Sequence, residues 1–372
     1  MTPVDERAAR MALCALQPMG NMELWKLVQD LGAAEVWEMT KAMGHTSRWG
    51  RKATLIDPEQ LQRATKQCGA RFLIPQDAAW PTGLDHMMLT RPQPQGAPPM
   101  GVWIRGKADP AELGNAIAIV GSRCPTAYGS HIATDWAADL TVEGNVVVSG
   151  MAFGIDAAAH RGALLARGNT VALLACGVDT AYPLAHAGLM AEIIDNGAVI
   201  SEVPPGTRPI KAAFLARNRM IAAIGTGVLI VEAAARSGAR NTATWANQLG
   251  RIVMAVPGPV TSEMSTTPNR LIRDSEAVLV SSSSDVLALV QPLQPSREQE
   301  LSGAQRALDL LPARCREVRE AVAPREGIGT AELSARTGLS VMQCLAAVDE
   351  LVETGWLEQP EPGLWSLPSK GD

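Results

Sequence analysis

The sequence predicts an α/β protein whose core is a parallel sheet covered by helices on both faces. Short apolar runs, typical of strands buried on both sides, alternate with helical stretches between residues 117 and 280. Glycine follows several of these runs where a strand would turn into a helix. The predicted strands are Ile117–Val120, Val146–Val148, Val171–Leu174, Val199–Ile200, Val228–Val231, Ile252–Val256 and Val278–Val280.

A small helical domain is predicted before this core. Residues 1–66 carry leucines at helical spacing, interrupted at Gln17–Asn21 and at Gly32. The core itself is predicted to span residues 67–290. It begins with an extension rich in proline and glycine, which contains a short strand at Val102–Ile104.

Two further segments follow the core. Residues 291–303 are polar, contain two prolines and predict a linker. Residues 304–372 predict a second small helical domain. Its helix at residues 340–354 contains Asp349, Glu350 and Glu353 but no lysine or arginine, so we expect this domain not to bind DNA.

The composition excludes several classes of protein. With 372 residues, 47% of them hydrophobic, the chain is too long for a single core and too apolar for a disordered protein. Its net charge of −5 creates no overall positive field, so a nucleic-acid site must be a local patch. The longest uncharged apolar run is too short to span a membrane. The six cysteines form no CxxC pair, which disfavours a zinc site or a disulfide framework, and we expect a cytoplasmic location.

The glycine-rich turns predict a phosphate-binding rim. Ligands of an open parallel sheet bind at the carboxyl ends of its strands, where helix N-termini present free N–H groups. Gly121, Ser122 and Arg123 follow the first core strand, and Gly150 and Gly154 follow the second. Each glycine could instead serve only a tight turn. No GxGxxG sequence opens the first helix, so we predict no dinucleotide cofactor.

One window of the chain is strongly basic. Between Arg208 and Arg251 there are seven basic residues and a single acid, Glu232. Guanidinium and ammonium groups hold phosphates, and Phe214 can stack on a base, so the window favours a single-stranded nucleic acid. The same residues allow two structural alternatives. Phe214 could pack in the core, and the arginines could form a solvated helix face.

The motifs, taken together and in order, resemble the DNA-processing protein A (DprA, also called Smf) family. They include Gly121-Ser122-Arg123, Ser149-Gly150-x-Ala152-x-Gly154-Ile155-Asp156, Gly177-x-Asp179-x-x-Tyr182-Pro183, Phe214-x-x-Arg217-Asn218-Arg219 and Ala255-Val256-Pro257-Gly258. The resemblance implies a Rossmann-like core that binds single-stranded DNA. It also implies a protein that protects incoming strands in natural transformation and hands them to the RecA recombinase.

The resemblance also implies site residues, partners and terminal domains. The expected DNA-binding residues are Ser122, Arg123, Gly150, Gly154, Lys211, Phe214, Arg217, Asn218, Arg219, Ser237 and Thr242. The expected partners are single-stranded DNA, RecA, single-strand-binding protein and a second copy of the chain, with no membrane. Residues 1–66 would be a domain like a SAM or helix-hairpin-helix module, and residues 304–372 a winged helix.

Six positions depart from the family pattern: His186, Arg240, Asn241, Thr267, Ser275 and Glu276. We expect His186 to be a histidine of a surface loop. The other departures bear on the geometry of the loop around residues 258–276.

The alternative function is a nucleotide-processing enzyme of the related phosphoribohydrolase-like fold. Those enzymes carry Pro-Gly-Gly-x-Gly-Thr-x-x-Glu, whereas the nearest stretch here is Gly225-Thr226-Gly227-Val228-Leu229, with leucine at the glutamate position. Carboxylates at strand ends more often cap helix N-termini than perform catalysis. We therefore predict a protein that is not an enzyme, with no catalytic residue, cofactor or metal. The carboxylates concerned are Asp156, Asp179, Glu202 and Glu232.

Overall fold

The computed structural model describes residues 5–16, 19–89, 95–291, 307–324 and 327–368. The chain divides into two compact units, Met1–Pro295 and Ser296–Asp372. The first unit holds a large mixed sheet with helices on both faces, and the second holds a small antiparallel sheet with helices. Apart from Gln291, the predicted linker at residues 291–303 lies outside the described residues.

The sheet of the first unit has nine strands in the described part of the chain. Along the chain they are β1 (Arg71–Leu73), β2 (Val102–Gly106), β3 (Ala116–Val120), β4 (Val146–Ser149), β5 (Thr170–Leu174), β6 (Ala198–Ser201), β7 (Gly227–Ile230), β8 (Ile252–Ala255) and β9 (Val278–Leu279). Their spatial order is β1-β2-β6-β5-β4-β3-β7-β8-β9. Strands β3 to β9 are parallel, and β1 and β2 form an antiparallel edge.

The strand order reverses at β3. Strand β3 pairs with β4 on one side and with β7 on the other, so Ala118 lies opposite both Val148 and Val228. Crevices form outside the carboxyl ends of the strands at such a reversal, and ligands of open α/β sheets bind there.

The parallel strands confirm the sequence prediction, with ends that differ by a residue or two. Strands β3 to β7 are buried at every residue because both faces of the sheet are covered. The predicted burial of the last strand was wrong. Val278 and Leu279 are 47% and 49% exposed because β9 is the edge strand, and only Val280 is buried.

Seven helices cover this sheet. They are α6 (Ala127–Val142), α7 (Ile155–Leu165), α8 (Ala187–Asn196), α9 (Lys211–Ile224), α10 (Gly238–Gln248), α11 (Thr266–Arg273) and α12 (Ser283–Val290), as far as the described residues go. Alternate residues of a strand point to opposite faces. Ala118 and Val120 therefore pack in the cluster of α9 and α10, whereas Ile117 and Ile119 pack in the cluster of α6, α7 and α12.

Five short helices precede β1 and pack onto the same unit. They are α1 (Glu6–Leu16), α2 (Met22–Leu31), α3 (Ala33–Ala42), α4 (Arg48–Ala53) and α5 (Pro58–Gln67). Their apolar residues share one hydrophobic cluster with residues of β2, β5, β6 and α8. The indole N–H of Trp103 donates to Thr65 Oγ1 at 2.9 Å, and the guanidinium of Arg7 pairs with Asp77 at 2.6 Å. A domain boundary at residue 66 stays a prediction.

The second unit contains three helices and three strands among its described residues. They are α13 (Ala313–Glu320), β10 (Ile328–Gly329), α14 (Thr330–Thr337), α15 (Val341–Glu353), β11 (Glu358–Glu361) and β12 (Leu364–Ser366). The strands are antiparallel in the order β10-β12-β11. Gly338, with φ +74°, ends α14, and Ser340 and Gln343 form a capping box that starts α15. None of the helices in the described ranges is long and apolar enough to cross a membrane.

Candidate nucleic-acid interface

A cleft of about 880 Å³ lies where the strand order reverses, at the carboxyl end of β3. Its walls are the loop after β3, the first two turns of α9 and the segment that leads from β7 into α10. Eight of the eleven predicted site residues line it: Ser122, Arg123, Lys211, Phe214, Arg217, Asn218, Ser237 and Thr242. The parallel order of the strands brings together residues that are up to 120 positions apart in the chain.

An aromatic platform lies at the mouth of the cleft. The rings of Tyr182 and Phe214 are 5.4 Å apart, and the guanidinium of Arg123 lies 5.3 Å from the centre of the Phe214 ring. Tyr182 is 46% exposed. Phe214 packs against a buried cluster that includes Val203 and Ala213, but its side chain stays partly exposed. The two ring planes are tilted by 51°, so the arrangement offers exposed aromatic faces next to a positive charge, which suits an unpaired base and its phosphate.

Three exposed cations surround the platform, namely Arg123, Lys211 and Arg236. The ion pairs found within the described ranges include none of the three. Lys211 is the first residue of α9, and Ser237 caps the N-terminus of α10, so two helix N-termini also face the cleft. Free cations and helix N-termini together favour an anionic ligand.

Arg217 lies at the bottom of the cleft and is not exposed as a DNA-binding side chain would be. It is 5% exposed, and its guanidinium donates to the carbonyl of Gly150 at 2.8 Å and to that of Leu173. Asp156 lies close to this guanidinium, and burial raises the pKa of its carboxyl although the charge of Arg217 opposes the shift. Arg217 therefore fixes the ends of β4 and β5 beneath the cleft.

The two predicted glycines, Gly150 and Gly154, do not line the cleft, but they leave room for cleft residues to pack closely against the backbone. A Cβ atom at Gly150 would collide with the guanidinium of Arg217. Gly154 has φ +79°, and a Cβ there would collide with the carbonyl oxygen of Ser122. Both positions require glycine for close packing, which shapes the site indirectly.

Three polar residues of the cleft are buried at its walls. The hydroxyl of Ser122 accepts from the N–H of Cys124 at 3.1 Å, and Asn218 Nδ2 donates to the carbonyl of Gly238 at 3.3 Å. Thr242 is 2% exposed. Ser122 and Asn218 hold the cleft walls together, and all three residues present little of their side chains to a ligand.

The family model for the DNA recombination-mediator protein A matches residues 71–291, more than half of the chain. The chain belongs to this family. Its match covers every residue of the cleft described above.

Relatives within the family extend the match. The putative DNA processing protein DprA of Mycobacterium tuberculosis is 40% identical over 309 residues, which cover 82% of this chain and 78% of that protein. The crystal structure of DprA from Streptococcus pneumoniae is similar with a TM-score of 0.64 and 27% identity, over 79% of this chain and all of that one.

A third relative concerns DNA directly. The structure of DprA from Helicobacter pylori, which describes the single-stranded DNA binding mode of that protein, is 27% identical with a TM-score of 0.50. It covers 58% of this chain and 94% of that one. The core of the present chain is therefore Rossmann-like, as the resemblance implied.

The prediction that Arg219 contacts DNA does not agree with its position. Arg219 is fully buried, and its guanidinium donates to the carboxylate of Glu202 at 2.7 and 2.8 Å and to the carbonyls of Ala97 and Ala216. A guanidinium with all these partners has no surface for a phosphate. Arg219 holds α9 against the end of β6.

The basic window is also less available than its sequence suggests. Arg240 pairs with Glu276 at 2.8 Å, so two departures from the family pattern bind each other. Arg251 is half-buried and donates to the carbonyl of Ala223. Together with the buried Arg217 and Arg219, four of the seven basic residues serve the fold. Only Arg208, Lys211 and Arg236 remain exposed.

His186 is not a surface histidine, which corrects the sequence prediction. It is 4% exposed, and its Nδ1 is 2.9 Å from the carbonyl oxygen of Met151. Two contributors to the cleft were missed as site residues, Tyr182 and Arg236. Tyr182 belongs to the motif Gly177-x-Asp179-x-x-Tyr182-Pro183 and Arg236 to the basic window, but only the fold brings both into one cleft with Phe214.

Three of the strand-end carboxylates are engaged by the fold. Glu232 accepts from the N–H and the hydroxyl of Thr126, the cap of α6, at 2.8 and 2.7 Å. Glu202 binds Arg219, and Asp179 accepts from the N–H of Gly206 at 2.9 Å. Within the described ranges no group of three His, Cys, Asp or Glu side chains could hold a metal ion.

Proposed function

We propose that this chain is a recombination mediator that binds single-stranded DNA in the cleft at the carboxyl end of β3. The observation that carries the proposal is the platform of Tyr182 and Phe214 with Arg123 against the ring. Bases of a single strand stack on the platform, while phosphates meet Arg123, Lys211 and Arg236. In a duplex the base faces are already stacked on one another, so the platform selects for a single strand.

The proposed biological role rests on the family resemblance. As a member of the recombination-mediator family, the protein acts in the cytoplasm as a homodimer. It covers incoming single strands during natural transformation, which protects them, and loads the RecA recombinase on strands coated by single-strand-binding protein. The DNA-binding mode described for the Helicobacter pylori relative supports the first step of this sequence.

The protein carries out no chemistry on nucleotides in this proposal. Glu202, Glu232 and Asp179 are held by an arginine, a helix cap and a loop N–H. Asp156 is buried and accepts from the N–H of Ala152 at 3.3 Å, so each of the four carboxylates has a partner in the fold rather than a place as general acid or base. Purified protein is incubated with nucleoside monophosphates, and the products are separated by chromatography. Release of free base would favour the alternative, a phosphoribohydrolase-like enzyme.

In this proposal the second unit is a winged helix that does not bind DNA. Its two-helix turn at Gly338 and the hairpin of β11 and β12 support the fold assignment. Helix α15 has no basic residue, and Glu350 pairs with Arg314 at 2.9 Å. A protein partner therefore suits this unit better than a phosphate backbone.

Two measurements test the proposed function. Fluorescence anisotropy compares a labelled single strand with the duplex of the same length, and we expect the single strand to bind about tenfold more tightly or better. A filament assay then follows RecA assembly on strands coated by single-strand-binding protein. Equal affinity for both DNA forms would contradict the binding proposal, and unchanged filament assembly would contradict the loading role.

A further inference from the structure

A second groove adjoins the cleft and shares one wall with it. Its volume is about 680 Å³, and Arg123 and Cys124 line both cavities. The remaining lining comes from the starts of α6 and α7 and from the turn between β4 and α7. It includes Ser130, Thr134, Phe153, Gly154, Ala158 and Arg161. Of all the side chains that line this groove, the function proposed above uses only Arg123.

Phe153 gives this groove an aromatic platform of its own. The side chain is 48% exposed although it is a phenylalanine, and its ring packs on the ring of His186 at 4.7 Å with an edge-on geometry. His186 is in turn held by the carbonyl of Met151. The contact restricts the Phe153 ring, so stacking of a base costs less side-chain entropy than it would on an unsupported ring.

The two platforms belong to one continuous surface. Residues 182–186 form a short segment whose first residue, Tyr182, contacts Phe214 and whose last, His186, contacts Phe153. The whole sequence has three phenylalanines and two tyrosines. Phe72 is buried, whereas the other four lie partly exposed at the carboxyl edge of the sheet. Apolar rings of this size are normally buried, so their common location indicates a use.

The groove also carries positive charge that the fold does not neutralise. Arg161, on α7, is exposed, and the ion pairs within the described residues include neither Arg161 nor Arg123. The groove thus combines an exposed ring with two exposed guanidinium groups, as the cleft combines Phe214 with exposed cations. The repeated arrangement suits one more nucleotide unit, a base on the ring and a phosphate on either side.

We propose that the single strand does not end at the cleft but continues across Arg123 into this groove, with a base on Phe153 and a phosphate on Arg161. The proposal rests on the proposed function of the cleft. It assigns the groove to the same DNA strand and extends the number of nucleotides that one protomer covers. Arg123, shared by the two cavities, holds the phosphate at the crossing.

Binding to a ladder of oligothymidylates of about 4 to about 16 nucleotides, the range of ordinary single-strand site sizes, tests this extension. For the wild-type chain, affinity rises with length until the strand reaches Phe153. For Phe153→Ala, the curve levels off at a shorter length, and the longest oligonucleotide binds about fivefold more weakly or worse. The shortest oligonucleotides bind both proteins equally. Leu165→Ala, an exposed apolar residue at the far end of α7, serves as the control and changes nothing.

A second readout distinguishes failure of the extension from failure of the proposed function. An oligothymidylate with 5-iodouracil at successive positions is irradiated on the full chain, and crosslinked peptides are identified by mass spectrometry. Crosslinks to both Phe153 and the Tyr182–Phe214 platform support the extension. Crosslinks to the platform alone, with an unchanged length profile for Phe153→Ala, would overturn it. Crosslinks to neither would overturn the proposed function itself.

Discussion

Burial decides what each basic residue of α9 can do. Lys211 is exposed at the start of the helix, whereas Arg217 and Arg219 lie on its buried face. A buried guanidinium needs carbonyl or carboxylate oxygens as partners. Arg219 donates to Glu202 and to two backbone carbonyls, whereas Arg217 donates to the carbonyls of Gly150 and Leu173 and its Nε has no partner among the described residues. Lys211 and Arg219, only eight positions apart, therefore differ in availability: the first is exposed to solvent, and the second is bonded inside the core.

This difference predicts separable effects. Arg219→Met leaves Glu202 buried without its partner and should lower the free energy of unfolding by about 3–5 kcal/mol, with little change in DNA affinity at a temperature where the variant is folded. Lys211→Ala should weaken DNA binding and leave the free energy of unfolding nearly unchanged, since it removes an exposed charge. Urea denaturation and anisotropy on the same samples give both quantities. A large affinity loss in folded Arg219→Met would mean that Arg219 contacts DNA after all.

A second residue-scale prediction concerns acid stability. Burial lowers the pKa of His160 to about 3, and its Nδ1 lies 2.7 Å from Thr170 Oγ1. Above pH ~6.5 the imidazole is neutral in both folded and unfolded chains, so it adds no pH dependence. Between that pH and about 3 only the unfolded chain takes up the proton, and stability falls by up to ~1.4 kcal/mol per pH unit.

The variant His160→Gln removes this titration. Its free energy of unfolding should fall less steeply with acid than that of the wild-type chain, when both are measured by denaturation across this pH range. His45→Gln, which changes an exposed histidine, is the control and should retain the wild-type slope. Identical slopes for all three proteins would show that His160 protonates normally in the folded state.

At the scale of elements, the N-terminal helices are part of the core's packing. Trp103 of β2 is fully buried, and its indole N–H depends on Thr65 of α5. Phe72 of β1 packs on the same ring at 4.5 Å. Without α1 to α5, the apolar face formed by β1 and β2 would be open to water.

We therefore predict that a chain lacking residues 1–66 loses cooperative unfolding or aggregates, because the exposed face is large and apolar. A finer variant, Thr65→Val, leaves the buried indole N–H unsatisfied and should cost about 1–3 kcal/mol of stability. Thr54→Val at an exposed helix end is its control. Circular dichroism and thermal unfolding measure these effects. A truncated chain that melts as cooperatively as the full chain would support an independent domain at residues 1–66.

Some elements were predictable from sequence and others were not. Strands β3 to β7 are buried on both faces, so their residues are continuously apolar and visible in the sequence. The number of cations available in the basic window was not predictable from its own sequence. The acids that neutralise it, Glu202 and Glu276, lie outside the window and reach it only through the fold. Local charge counts cannot include partners from other elements.

For the whole molecule, we predict that the first unit binds DNA without help from the second. The cleft belongs entirely to the first unit, and α15 of the second is acidic. Removal of residues 292–372 should leave the affinity for single-stranded DNA within a few-fold of that of the full chain, because no phosphate contact is lost. Anisotropy on the shortened protein, with circular dichroism to confirm folding, measures this. Loss of most of the affinity in a folded protein would show that the second unit binds DNA.

The claim that the cleft binds the phosphates of a single strand is tested most directly by the salt dependence of binding. The double variant Arg123→Ala, Lys211→Ala is compared with Lys26→Ala, Lys66→Ala, which removes the same charge from exposed positions on α2 and α5. Each lost phosphate contact flattens the plot of log affinity against log salt concentration by about 0.7. We predict weaker binding and a slope shallower by about 1.4 for the cleft variant, with no change for the control. Equal affinities and equal slopes for the two folded variants would contradict a DNA site in this cleft.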